Sequence, residues 1–384
     1  MKCIRVTAPG KPLVFLDDYP IPKAPDGGAV VKISYSGVCH TDVHFWEGGY
    51  TLGGGKELKF QDRPGFLYPC VPGHEISGIL FSLDERATKD DSQSGLKLGD
   101  RVVVYPWIFC NACRPCRLGY NIFCDGSPPV YIGMTRDGGF AQYVAVPEVR
   151  YVVPVCASIP LTVASLLPCS GLTAYHAVEN AVEFVKNVTE IKGCCSVMVI
   201  GAGGLGQWGI CFARSLYPSE TQIICADVKQ KPLDLVTSNV GTVEPLLIDQ
   251  HKSSDSIIQQ VKTASRTGSG VDLILDFVGS TQTFEVAKKS LRMRGRYHVI
   301  GLLGGEAHMS LPEVVLNGRS IIGIKVGSLV QLRRLVDLMA KTPSLFANLQ
   351  YTVHPLEDGI QAMEKVAKGQ IIGRAILKCC GDDE

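Results

Sequence analysis

Two patterns of apolar and polar positions divide the chain. Up to about residue 160 the apolar residues come in short runs broken by Gly, Pro and Asp. Residues 30–35 and 101–105 are rich in β-branched and aromatic side chains, and such runs between turn formers predict strands. Residues 48–59 and 84–94 show no apolar periodicity and are expected to be surface loops. Near residue 170 the pattern changes. Helical spacing covers residues 173–185, 205–216, 254–264 and 281–291, and short buried runs at 196–200, 222–226, 271–275, 296–300 and 320–324 predict strands. Such alternation predicts an α/β unit, a doubly wound parallel sheet with helices on both faces. The tail adds helical patterns at 329–339 and 356–368 and a closing strand at 375–378.

Composition narrows the class. The 384 residues suffice for two domains with full cores. With 46% hydrophobic and 20% charged residues the chain is an ordinary globular protein, not a disordered, coiled-coil or fibrous one. Its 38 basic and 37 acidic residues leave no excess to attract a phosphate backbone, so nucleic acid is not expected as a partner. Residues 194–212 are uncharged and about long enough to span a membrane, but they hold five glycines and Gln207, which suit a strand, turn and helix better. No membrane association is expected. The fifteen cysteines, an odd number, follow no signal-type apolar run, which points to a reducing, cytoplasmic compartment.

Three groups of residues carry chemistry. The run Gly201-Ala-Gly203-Gly204-Leu205-Gly206 lies between a predicted strand and a predicted helix, and Asp227 ends the next strand. That is the context of a dinucleotide-binding turn, where glycines let backbone amides approach a pyrophosphate at a helix N-terminus. Asp227 suits a free ribose hydroxyl and would repel a 2′-phosphate, so NAD is expected over NADP. Next, Cys110, Cys113, Cys116 and Cys124 can wrap one tetrahedral zinc of the structural kind, with an iron–sulfur cluster as the chemical alternative. The third group is scattered: Cys39-His40-Thr41-Asp42-Val-His44, Pro72-Gly73-His74-Glu75, and Cys169. Cys39, His74 and Cys169 can supply two thiolates and an imidazole to a catalytic zinc, though by itself each such residue is more often a core or surface residue than a ligand.

Taken in order, GVCHTDVH, VPGHE, the four-cysteine run, LLPCSGLTAYHA and IGAGGLG resemble the zinc-dependent medium-chain alcohol dehydrogenase family over nearly the whole chain. The resemblance implies a Rossmann coenzyme domain (170–325) inserted into a β-rich GroES-like catalytic domain (1–169 and 326–384). It implies two zinc ions per subunit, one held by Cys39, His74 and Cys169 and one by Cys110, Cys113, Cys116 and Cys124. Glu75 matches a carboxylate beside the catalytic zinc, and Asp42 a partner that orients His74. Thr41 matches the hydroxyl that touches the substrate oxygen, and His44 the outer end of a proton relay. His40 and Arg374 match positions that meet the cofactor phosphates, and Trp107 a substrate-pocket aromatic. The implied activity is reversible hydride transfer from a primary or secondary alcohol to NAD, giving an aldehyde or ketone. Polyol relatives commonly have Glu where this chain has Cys169, which favours simple alcohols. A polyol dehydrogenase and a non-catalytic NAD-binding zinc protein are the alternatives. The family also implies a homo-oligomer, dimer or tetramer, with a strand near residues 310–316 at the subunit contact. The stretch from 48 to 70 is longer than in short relatives and is expected at the substrate cleft or a subunit contact. The other nine cysteines are expected to be bystanders, with Cys379 and Cys380 exposed at the tail.

Overall fold

The computed structural model describes residues 1–87, 95–126, 128, 130–239 and 242–381. Two sheets organise it. The first has seven strands, ordered Val152–Pro154, Arg101–Val104, Glu75–Leu83, Ala29–Val38, Arg374–Lys378 and Tyr351–Pro355, with Tyr143–Val146 also paired to Ala29–Val38. Its pairs are antiparallel except the last, Tyr351–Pro355 beside Arg374–Lys378. The second sheet has six parallel strands, ordered Glu244–Leu247, Gln222–Asp227, Ser196–Ile200, Val271–Asp276, Leu291–Val299 and Ser320–Gly323.

Alternation explains why the parallel strands read as continuous apolar runs. Val197, Val199, Ile223, Cys225, Leu273 and Leu275 join the large core shared with the antiparallel half. Met198, Ile200, Ile224, Ala226 and Ile274 face the other way, into a second core with Phe284 and Ala287. Both faces are covered, as a parallel sheet requires. The uncharged stretch 194–212 is accordingly a strand, a turn and the helix Gly204–Leu216. The apolar helical stretch Leu161–Lys192 is long enough to cross a membrane, but 83% of its most apolar window is buried inside the fold.

Four expectations are corrected. Residues 49–59 are not a loop: Gly49–Gly53 pairs antiparallel with Lys56–Lys59. Gly53, Gly54 and Gly55 make the turn at φ 89°, 54° and 73°, the left-handed region that glycine enters without strain. The tip lies on the other half of the molecule, where a Cβ on Gly54 would overlap the Glu306 carboxylate. Glu306 is pinned in turn, its N–H donating to Thr281 Oγ1 at 3.1 Å. Secondly, the helix expected over 173–185 is two helices, Leu172–Glu179 and Val182–Lys192, with a break at Asn180 and Ala181. Thirdly, the interface strand near 310–316 is a helix, Leu311–Asn317. Ser310 Oγ caps it by accepting from Glu313 N at 3.4 Å, and Pro312 fits its first turn. Finally, Cys379 is buried and Cys380 half-buried rather than exposed. Residues 88–94 of the second expected loop lie outside the described residues.

Candidate active site and metal centres

Three backbone features bring the scattered motif together. Cys39 follows the strand Ala29–Val38 and caps the helix His40–Glu47, its N–H donating to Asp42 Oδ2 at 2.9 Å. His74 precedes the strand Glu75–Leu83 and follows Gly73, whose φ of 96° and contact with Phe140 leave no room for a side chain. Cys169 sits in a short π-helical turn, Leu167–Gly171, a distortion common at functional sites. As a result the ligand atoms of Cys39, His74 and Cys169 lie within 4.8 Å of one another, and all three residues are buried.

The imidazole is oriented for a metal. Asp42, fully buried, accepts from His74 Nδ1 at 2.8 Å and from Gly73 N at 3.1 Å. His74 Nε2 has no hydrogen-bond partner. A buried ring nitrogen without a partner is costly, and one grouped with two cysteine sulfurs suits a metal ligand. Electrostatics agree. A hydrogen bond from Cys169 holds the Cys39 thiol well below its ordinary range, with His74 and Arg374 adding to the effect. Burial disfavours charge on His74, but Asp42 and Cys39 outweigh it and raise the ring well above the usual histidine range. A metal would replace the protons that these groups share.

Glu75 lies beside the set. Its Oε1 accepts from Ser170 N at 2.9 Å and its Oε2 pairs with Arg374. Burial raises its pKa, with Arg374 opposing. Arg374 also reaches the coenzyme turn, where a Cβ on Gly204 would strike its side chain. The residue expected at the cofactor phosphates therefore bridges the metal set and the glycine turn.

Thr41 and His44 share one helix. The His44 ring lies 4.8 Å from the Tyr50 ring. Burial raises the Tyr50 pKa, with nearby Thr41 opposing. Burial lowers the His44 pKa, only partly offset by Glu47. His40 is exposed at the helix start, its ring 6.5 Å from that of His44. Trp107 stands over the metal set with its ring 5.3 Å from His74, and its Nε1 donates to Pro168 O at 3.2 Å. Tyr50 and the pocket aromatics Phe109 and Tyr131 were not singled out from the sequence, because no spacing rule links them to the metal motif.

The glycine turn is equally constrained. Gly201 has φ 93°, and a Cβ on Gly206 would overlap the Gly201 carbonyl oxygen. Gly203 faces open space, a cradle at the start of the helix Gly204–Leu216, and Leu205 is half-buried beside it. Asp227 ties the next strand to this turn, its Oδ2 accepting from Ala202 N at 2.7 Å. Gly206→Ala is expected to destabilise the protein by about 1–3 kcal/mol, the usual range for overpacking. Thermal unfolding measures it, and an unchanged midpoint would contradict the contact.

The second cluster is a separate lobe. The sulfurs of Cys110, Cys113, Cys116 and Cys124 lie within 4.8 Å of one another and are half-buried. Backbone N–H groups of Cys113 and Ala112 lower the Cys110 thiol to about 6, favouring the thiolate that binds metal.

Comparison with known proteins agrees with this geometry. Residues 25–157 match the family model for the alcohol dehydrogenase GroES-like domain, and residues 204–341 match that for zinc-binding dehydrogenases. An NAD-dependent alcohol dehydrogenase of Sulfolobus acidocaldarius is 32% identical over 98% of this chain and 99% of its own. The chain belongs to the zinc-dependent medium-chain alcohol dehydrogenase family. A second relative in this family, an NAD-dependent alcohol dehydrogenase of Sulfurisphaera tokodaii, is 29% identical over 98% and 99% of the two chains. Among solved structures, the alcohol dehydrogenase of Aeropyrum pernix superposes with a TM-score of 0.80 at 27% identity, covering 98% of this chain and all of that one. The medium-chain dehydrogenase fold, a Rossmann-like half with a GroES-like half, is thus the fold of this chain.

Proposed function

We propose that the protein is an NAD-dependent alcohol dehydrogenase that interconverts an alcohol with its aldehyde or ketone. The observation that carries this is the unpartnered His74 Nε2 in a buried set whose ligand atoms, with those of Cys39 and Cys169, lie within 4.8 Å of one another. Those three residues would hold a zinc ion and leave a fourth position for substrate, the arrangement of a catalytic site. The four-cysteine lobe would hold a second, structural zinc. The turn Gly201–Gly206, with Gly203 open and Asp227 fixed beside it, would hold NAD. Zinc, when bound, supplies Lewis acidity at the alcohol oxygen, and NAD, when bound, accepts the hydride.

The chain's own groups do the rest. Asp42 holds His74 in the tautomer that keeps Nε2 free. Thr41 takes the hydroxyl proton of the alcohol, and His44 receives it at a ring nitrogen. Tyr50 lies beside this pair, its ring 4.8 Å from that of His44. Glu75 and Arg374 join the metal set to the coenzyme turn. In this reading the domains are 1–169 with 326–384 and 170–325. All fifteen cysteines are free, which fits a cytoplasmic location. Leu311, Val315 and Leu316 are each at least 75% exposed, which fits a subunit contact in a homo-oligomer.

The test is NADH formation with primary alcohols, secondary alcohols and diols, with and without a zinc chelator. Chelator-sensitive turnover is expected. Its absence on every alcohol, with zinc and NAD bound, would overturn the proposal. The relay makes its own prediction. His44 must be neutral to accept a proton, and burial moves its pKa below the ordinary 6.5. Oxidation should therefore hold its rate to a lower pH than an unperturbed histidine allows, then fall. His44→Gln should remove that limb and slow kcat by about 10²-fold. A pH–rate profile of both forms decides it.

A further inference from the structure

The aromatic side chains beside the candidate metal site end in charge that a simple alcohol does not need. Rings lead outward from the metal set: Trp107 lies 5.3 Å from His74, Tyr131 5.5 Å from Trp107, and Phe109 6.5 Å from Tyr131. Beyond them sits the Lys325 ammonium, 5.9 Å from the centre of the Tyr131 ring and 6.0 Å from that of Phe109. Lys325 belongs to the crossover between the last parallel strand, Ser320–Gly323, and the helix Leu329–Lys341. Arg63 approaches from the antiparallel half, three residues before Phe66, whose ring is 6.2 Å from Tyr131. It is near enough to act on both the Lys325 ammonium and the Tyr131 hydroxyl.

Neither cation has a carboxylate within ion-pair distance among the described residues. Both residues are exposed, so a ligand can approach them. The Lys325 ammonium nevertheless sits at cation–π distance from the Tyr131 and Phe109 rings, where desolvation and then Arg63 lower its pKa. Two like charges beside one apolar wall attract an anion.

We propose that the preferred substrate is an alcohol or aldehyde bearing an anionic group, carboxylate or phosphate, at the end remote from the reacting oxygen, with Lys325 and Arg63 binding that group. The proposal rests on the dehydrogenase reading above and adds its substrate class. The aromatic wall would bury the apolar middle of such a molecule, and the two cations would fix its length and direction.

The test uses straight-chain ω-hydroxy carboxylates, ω-hydroxyalkyl monophosphates and terminal alkanols of equal length. The measured quantity is the ratio of kcat/KM for the anionic over the neutral substrate. At the best chain length a ratio of about 10 to 100 is expected, the usual range for a hydrogen bond to a charged group. Lys325→Met and Arg63→Gln should each lower it by about tenfold. Arg63 is exposed, so its variant carries the test if Lys325→Met fails to fold. The carboxylate and phosphate arms identify which anion the two cations favour, and a preference for either supports the proposal. Neutral alkanols turned over as well as the anions would overturn it, as would a preference that survives both substitutions. No turnover of any of the three classes would overturn this substrate class alone, and the panel of secondary alcohols and diols above would then decide the dehydrogenase reading separately.

Discussion

Cys169→Ala should leave a protein that binds one zinc per chain instead of two and still binds NAD, but has lost turnover. The substitution removes one of three ligands from a buried set, and the remaining Cys39 and His74 cannot hold an open tetrahedral site. Lewis-acid stabilisation is worth several kcal/mol, so kcat should fall by at least about a thousandfold. Metal analysis, NAD titration and NADH formation on one preparation provide the check. The four-cysteine lobe supplies the internal control, since it lies on other elements and should keep its metal. Full activity with two zinc ions bound would remove Cys169 from the ligand set.

The second large effect concerns a buried charge. Arg374→Met leaves the Glu75 carboxylate, which has no solvent exposure, with Ser170 N–H but without its cation. Breaking a buried pair from one side costs about 3–5 kcal/mol. The cost depends on pH in a defined direction. Burial already raises the Glu75 pKa, and loss of Arg374 raises it further. The deficit is therefore greatest at neutral pH, where the folded state must keep the carboxylate charged. It shrinks as pH falls through the raised pKa and Glu75 takes up a proton. Chemical denaturation at neutral and mildly acidic pH measures both values. Glu75→Gln added to Arg374→Met should recover part of the loss, and a double variant as unstable as the single one would count against the pair.

How much of this was legible in the sequence depended on how local the cause was. The parallel strands were visible because both faces are buried, so 196–200 and 222–226 read as unbroken apolar runs. The glycine turn and the four cysteines were visible because each is one continuous segment. The hairpin at 49–59 was not: Lys56, Glu57 and Lys59 are exposed, and a two-stranded polar ribbon has no apolar face to show a period of two. What holds its tip is Glu306, some 250 residues on. The helix Leu311–Asn317 was hidden for the opposite reason. The strand expected there came from the family resemblance alone; its apolar side chains point outward and show no helical stripe, and the Ser310 cap and Pro312 decide the backbone. In the site, residue types located the ligands but not their surroundings. Nothing near Lys325 in sequence shows that its ammonium lies on two rings without a carboxylate partner, because those rings come from residues 109 and 131.

The hairpin tip has a mechanical consequence. The chain crosses between the two halves twice, and bridges such as Gln207 to Gln350 add to the core they share. The seat of Gly53 and Gly54 on Gly305 and the Glu306 side chain adds a contact far from both chain crossings. In the reading proposed above, any parting of the halves that admits or releases coenzyme would have to lift this tip as well, so a residue that touches neither metal nor substrate would bear on that motion.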